Sequence, residues 1–126
     1  MIPKNRVQKG LKIQVLAGGI SHEREISLKS GRRVADALTE AGATVILREP
    51  DSDLLSNIKK DKPDVIWPTL HGASGEDGAL RDILALTGVP FVGATAPAAR
   101  LAWDKSIAKI LVAQAGVQTP PSITLP

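Results

Sequence analysis

A chain of 126 residues with 43% hydrophobic side chains and a mean hydropathy of +0.02 can bury one core, and it is too apolar to remain disordered. With one Phe, two Trp, no Tyr and no Cys, it lacks the aromatic platforms of single-strand nucleic-acid binders, and it can form neither disulfides nor thiolate metal sites. Its net charge of +3 is local: Lys4, Arg6, Lys9 and Lys12 stand among the first 12 residues with no acid, which leaves 12 basic against 13 acidic groups over the other 114, so the basicity marks a solvated leader and no binding face.

Residues 13–17 form an apolar run that stops at Gly18-Gly19, the pattern of a buried parallel strand followed by a tight turn. From Ser21 the period changes: Ile26, Ser27, Gly31, Val34, Ala35, Leu38 and Ala41 fall on one helical stripe, while Arg24, Lys29, Arg32, Arg33, Asp36 and Glu40 lie largely elsewhere. Ser21 is the expected N-cap and Gly42 the C-terminal stop, and the small Ser27, Gly31 and Ala35 would let the helix lie close to a sheet. A second strand is expected at 44–47, a short helix at 52–60 and a third strand at 64–70. A polar, glycine-rich loop at 71–78 follows that strand directly. Helical periodicity resumes at 79–87, a short fourth strand is expected at 89–93, and two helical pieces at 96–103 and 104–115 join near Trp103-Asp104. The proline-rich end at 119–126 reads as extended linker.

Strands alternating with helices in this way predict an α/β fold: an open, mainly parallel sheet with helices on both faces. Ligands of such sheets bind beyond the carboxyl ends of the strands, so residues 18–25 and 71–78 should face one edge. No apolar run approaches the ~18 residues that span a bilayer. Residues 11–16 are interrupted by Lys12 and Gln14, which breaks any signal-type stretch. Neither a membrane nor a nucleic acid is expected as a partner, and the cytoplasm is the expected compartment.

Two segments carry chemistry. Gly18-Gly19-Ile20-Ser21-His22-Glu23-Arg24-Glu25 invites a dinucleotide reading, with phosphate on the helix start and Glu49 as the ribose-binding acid. Against this, the third glycine of G-x-G-x-x-G is missing, and two carboxylates already occupy the positive end of the helix. A carboxylate on this edge suits an ammonium group better, although Glu23 could equally serve only the helix dipole. In His71-Gly72-Ala73-Ser74-Gly75-Glu76-Asp77-Gly78, three glycines permit close backbone approach to a ligand, and Glu76 or Asp77 could hold the His71 ring. The alternative is a surface loop with an Asp-Gly turn. The only other histidine is His22, and no three-ligand spacing exists, so no metal site is expected.

The first of these segments, continued through Ile26-Ser27-Leu28-Lys29-Ser30-Gly31, resembles the opening signature of D-alanine–D-alanine ligases. His71-Gly72-x-x-Gly75-Glu76-Asp77-Gly78 is similar to that family's first diagnostic motif. The likeness continues through Leu86-Thr87-Gly88-Val89-Pro90-Phe91-Val92-Gly93, Asp104-Lys105 and Ala115-Gly116-Val117-Gln118-Thr119-Pro120, in order and at the right spacing. The family joins two D-alanines with ATP and magnesium, through a D-alanyl phosphate, to make a peptidoglycan dipeptide.

The resemblance implies a Rossmann-like pre-ATP-grasp domain over 13–117, a leader over 1–12, and a linker over 118–126 toward an absent ATP-grasp domain. It implies Glu23 as the group anchoring the amino group of the first D-alanine and His71 as lining the same pocket, with Glu76 orienting His71 and Ser21 shaping the loop. It implies Lys105 as reaching toward ATP phosphates, where a cation is needed. Family members form homodimers. The remaining ATP and magnesium ligands would lie beyond these residues, so the chain alone is expected to be inactive. Departures are Arg81-Asp82, where the family usually has small or amide residues, and Trp103, in place of a methionine or serine. Alternatives are a non-catalytic α/β binding or dimerisation module, and a related ligase such as one joining D-alanine to D-lactate.

Overall fold

Three parallel strands build the sheet in the order β2–β1–β3: β1 is Lys12–Leu16, β2 is Thr44–Arg48 and β3 is Val65–Pro68. The computed structural model describes residues 10–125, so most of the expected basic leader lies outside the described residues. Lys12, grouped with the leader on its charge, is the first residue of β1; its amide donates to Asp64 and its ammonium to the Asp61 carbonyl.

Apolar side chains on both sides of β1 explain its central place, because a strand covered on two faces is largely apolar, and only the buried Gln14 departs from this. On one face Ile13 and Val15 pack against helix α1 (Arg24–Glu40) through Leu38, Val34 and Ala35. On the other, Leu16 and Ile66 pack against α2 (Leu54–Asp61) and α4 (Ala79–Leu86) through Leu54, Ile58, Leu80 and Leu84. The open parallel sheet with helices on both faces is therefore present as expected. The small-residue stripe of α1 does what its composition suggests: a Cβ added at Gly31 would fall 2.4 Å from the Ala17 Cβ, so glycine alone allows this approach.

Four local expectations need correction. The fourth strand is only an isolated parallel bridge between Ile66 and Phe91. Pro90 has no amide hydrogen to extend a ladder, and Gly93 (φ +113°) turns the chain away. The third strand ends at Pro68 and not at residue 70, because its partner β1 ends at Leu16, whose carbonyl takes both the Thr69 amide and its hydroxyl. The glycine-rich loop holds a single helical turn, α3 (Ala73–Glu76), bracketed by Gly72 and Gly78 at φ +76° and +96°. Ser21 does not cap α1; Glu23 occupies the N-cap position, and the Ser21 hydroxyl instead accepts the Glu23 amide in a serine turn.

Helices α5 (Ala96–Trp103) and α6 (Lys105–Gln114) break at Asp104, whose carboxylate accepts the Ser106 and Ile107 amides and so starts a new helix. No residue of α6 is buried, and residues 117–125 form neither helix nor strand. Among the described residues no helix is long and apolar enough to cross a membrane.

Candidate functional site

The ends of β1 and β3 meet at one edge, where side chains from the start of α1 hold them together. Ser27, fully buried in α1, accepts the Gly18 amide at 2.8 Å and donates to the Thr69 carbonyl at 2.9 Å. Ser21 donates to the His71 carbonyl at 2.9 Å. One turn further along α1 from Ser27, Ser30 Oγ lies 3.1 Å from His71 Nε2. Three hydroxyls thus fasten the exit of β3 to the first half of α1.

This fastening brings Ser21, Glu23 and His71 into one cluster. A Cβ added at Gly72 would stand 2.8 Å from Glu23 Oε2 and 3.2 Å from Ser21 Oγ, so the Glu23 carboxylate lies over the backbone next to His71. The positive φ of Gly72 and this close approach both require glycine. Glu23 caps no amide with its side chain, and among the described residues no cation pairs with it. Its oxygens are free to accept hydrogen bonds from a ligand. A carboxylate with open valences, a neighbouring imidazole and a wall of backbone can bind the ammonium end of a small amino acid.

Glu76 Oε1 is 4.0 Å from His71 Nδ1, beyond a hydrogen bond but facing that nitrogen. Lys105 is not brought into the cluster. It lines a separate cleft of about 280 Å³ together with Glu76, Arg81 and Trp103, and its ammonium donates to the Ala102 carbonyl at 3.0 Å. Glu76 is the residue that the cluster and the cleft share.

Glu49 is unsuited to the dinucleotide role. Arg24 Nη2 donates to it at 2.5 Å, and a Cβ at Gly18 would meet its Oε2 at 2.6 Å. The paired carboxylate is therefore folded onto the glycine turn that a pyrophosphate would need. Among the described residues no group of three or more His, Asp or Glu side chains is placed to hold a metal ion.

The perturbed titrations lie away from this edge. A hydrogen bond from Arg48 holds the Asp61 carboxyl below the usual carboxylate range and raises Arg48 in turn, and the Ser106 hydroxyl lowers Asp104. Asp82 raises Arg100.

Sequence reasoning missed Ser30, Thr69 and the Arg24–Glu49 pair, and it read Ser27 only as a small packing residue. A serine inside an otherwise apolar stripe was the available signal for Ser27, since a buried hydroxyl needs a partner. Nothing local distinguishes Ser30 from a solvent-facing helical serine.

Fold and cluster together define an open α/β domain that gathers Ser21, Glu23 and His71 at the carboxyl edge of a parallel sheet. The chain is 43% identical to the D-alanine–D-alanine ligase of Moorella thermoacetica over 110 residues, 87% of this chain and 36% of that protein. The crystal structure of the D-alanine–D-alanine ligase from Aeromonas hydrophila superposes with a TM-score of 0.77 at 26% identity, covering 91% of this chain and 50% of that one. The Bacillus anthracis ligase crystallised with ATP gives 0.74 at 25% identity, over 89% and 38%. No protein-family model matches the chain. By sequence and fold the chain is similar to one part of D-alanine–D-alanine ligases, and it spans only a little over a third of the length of the curated relative it matches.

Proposed function

We propose that this chain is the first-substrate part of an ATP-dependent D-alanine–D-alanine ligase that makes the peptidoglycan dipeptide in the cytoplasm, and that Glu23 binds the ammonium of the first D-alanine. One observation carries the reading: the unpaired Glu23 carboxylate lies over Gly72, beside His71, at the carboxyl edge of the sheet. Ser21 shapes the loop by bonding both the Glu23 amide and the His71 carbonyl. His71 lines the pocket and Glu76 stands behind its ring.

ATP, when bound, supplies the phosphoryl group that activates the first carboxylate. Lys105 and Arg81 on the shared cleft fit a phosphate by charge, while Glu76 on the same cleft opposes it. The resemblance would place the magnesium ligands in later segments of a ligase, and among the described residues no group of three or more His, Asp or Glu side chains gathers. The exposed Ile107, Ile110, Leu111 and Val112 of α6 support burial of this helix within a longer protein. That protein is expected to form a homodimer. The Moorella thermoacetica, Aeromonas hydrophila and Bacillus anthracis relatives are named D-alanine–D-alanine ligases, and nothing favours D-lactate as the acceptor.

Grafting the chain onto the remaining two-thirds of the Moorella thermoacetica ligase tests the reading. The graft should release phosphate from ATP in the presence of D-alanine, and the 126-residue chain alone should not. Glu23→Gln in the graft should weaken first-site D-alanine binding about 10- to 100-fold, the worth of one charge-assisted hydrogen bond, with little effect on ATP. Unchanged D-alanine affinity would remove Glu23 from the site.

A further inference from the structure

His71 has a potential partner at each ring nitrogen. Nε2 lies 3.1 Å from Ser30 Oγ, and Nδ1 faces Glu76 Oε1 at 4.0 Å. The contacts of a neutral imidazole decide which nitrogen carries its hydrogen. With the hydrogen on Nε2, the Nδ1 lone pair would face a carboxylate, which is repulsive. With the hydrogen on Nδ1, the N–H dipole points at the carboxylate and the Nε2 lone pair faces the serine hydroxyl. That hydroxyl has no other hydrogen-bond partner among the described residues, so its proton is available.

We propose that Ser30 is a positioning residue, donating its hydroxyl to Nε2 and so holding His71 as the Nδ1–H tautomer, with Nδ1 turned toward Glu76. The ring cannot then act as a proton acceptor for substrate without first breaking the Ser30 bond. It serves as a fixed wall beside Glu23. The backbone beside the ring is fixed as well, because Ser21 holds the His71 carbonyl at 2.9 Å and Ser27 holds the Thr69 carbonyl at 2.9 Å. The tautomer is a property of the chain by itself; only its use as a pocket wall rests on the ligase reading.

Imidazole nitrogen resonances of the 15N-labelled chain test the proposal above the histidine titration range. The chain has two histidines, and the exposed His22 serves as an internal reference for an unconstrained ring. His71 should show a pyrrole-type Nδ1 and a pyridine-type Nε2, whereas His22 should show the Nε2–H form that free histidine prefers. Ser30→Ala should shift the His71 tautomer ratio about fivefold toward the His22 pattern, the size of one net neutral hydrogen bond. Ser30→Thr, which keeps the hydroxyl, should restore the wild-type pattern. Alanine is the better helix former at this position, and amide resonances far from residue 30 report that the fold persists.

A wild-type His71 carrying its hydrogen on Nε2 overturns the proposal, whatever the variants do. So does a Ser30→Ala chain that keeps its fold and its Nδ1–H ring. Neither result bears on Glu23, whose D-alanine test can fail or succeed independently.

Discussion

Replacing Ser27 by alanine should destabilise the chain by about 1.5–2.5 kcal/mol, from two orphaned hydrogen bonds less a small helical gain. The hydroxyl is fully buried and bonds the Gly18 amide and the Thr69 carbonyl at 2.8 and 2.9 Å. Two net hydrogen bonds are worth ~2 kcal/mol, and a buried group that finds no water adds to that. Alanine returns ~0.5 kcal/mol through its higher helix propensity. For a chain of this size each kcal/mol lowers Tm by roughly 3–5 °C, so the expected loss is roughly 5–12 °C. Urea unfolding, followed by far-ultraviolet circular dichroism, should show a lower midpoint at an unchanged m value. A shift under ~0.5 kcal/mol would mean that Ser27 is a packing residue and that water replaces its hydroxyl without cost.

Three further outcomes follow from the core and the surface. Gly31→Ala should destabilise by about 1–3 kcal/mol even though alanine favours helices, because its methyl would stand 2.4 Å from the Ala17 Cβ; a thermal melt showing a gain would mean that α1 can slide off the sheet freely. Gln14 is fully buried in β1 with neither amide atom bonded among the described residues, so Gln14→Leu should stabilise by about 1–3 kcal/mol. A loss of Tm there would reveal an ordered water or a polar partner. Asp61 titrates below its ordinary range beside Arg48, so its contribution is present above the unfolded carboxyl pKa and is lost as pH falls through the lower folded value. Melts from neutral to acid pH should therefore show Asp61→Asn least stable relative to wild type at neutral pH, with the gap closing in acid. A gap independent of pH would refute the ion pair as its cause.

The central strand was legible because a parallel strand buried on both faces reads as an apolar run, and its neighbours β2 and β3 were legible as short apolar runs although they are only partly buried. The α1 stripe was legible because small residues at helical spacing have few uses other than close packing. The same rule misread residues 89–93, where the run is apolar but Pro90 and Gly93 cannot sustain a ladder, and only Ile66 pairs with Phe91. It was silent on α3, a single turn too short to show a period. For the site, glycine spacing located the two strand exits correctly, and Glu23, Ser21 and His71 come together there. The pairing of Ser30 with His71 spans 41 residues and one helix–strand packing, and no local pattern encodes it.

The carboxyl edge is held together by two kinds of contact with different physics. On the Glu23 side, buried or half-buried serine hydroxyls bond backbone and imidazole, and these neutral bonds are indifferent to salt. On the Lys105 side, α4 meets α5 through Asp82 and Arg100, which pair at 2.6 Å with side chains 55% and 50% exposed. Arg81 and Asp82, which depart from the pattern that the resemblance implies, are both used. Arg81 donates to the Ala94 carbonyl at 3.1 Å, and a Cβ at Gly93 would stand 2.7 Å from its Nη1, so the arginine fits only because glycine faces it. Exposed ion pairs contribute little and weaken as ions screen them. Rising ionic strength should therefore weaken the Asp82–Arg100 contact between α4 and α5 before it reaches the serine-fastened edge that holds Glu23.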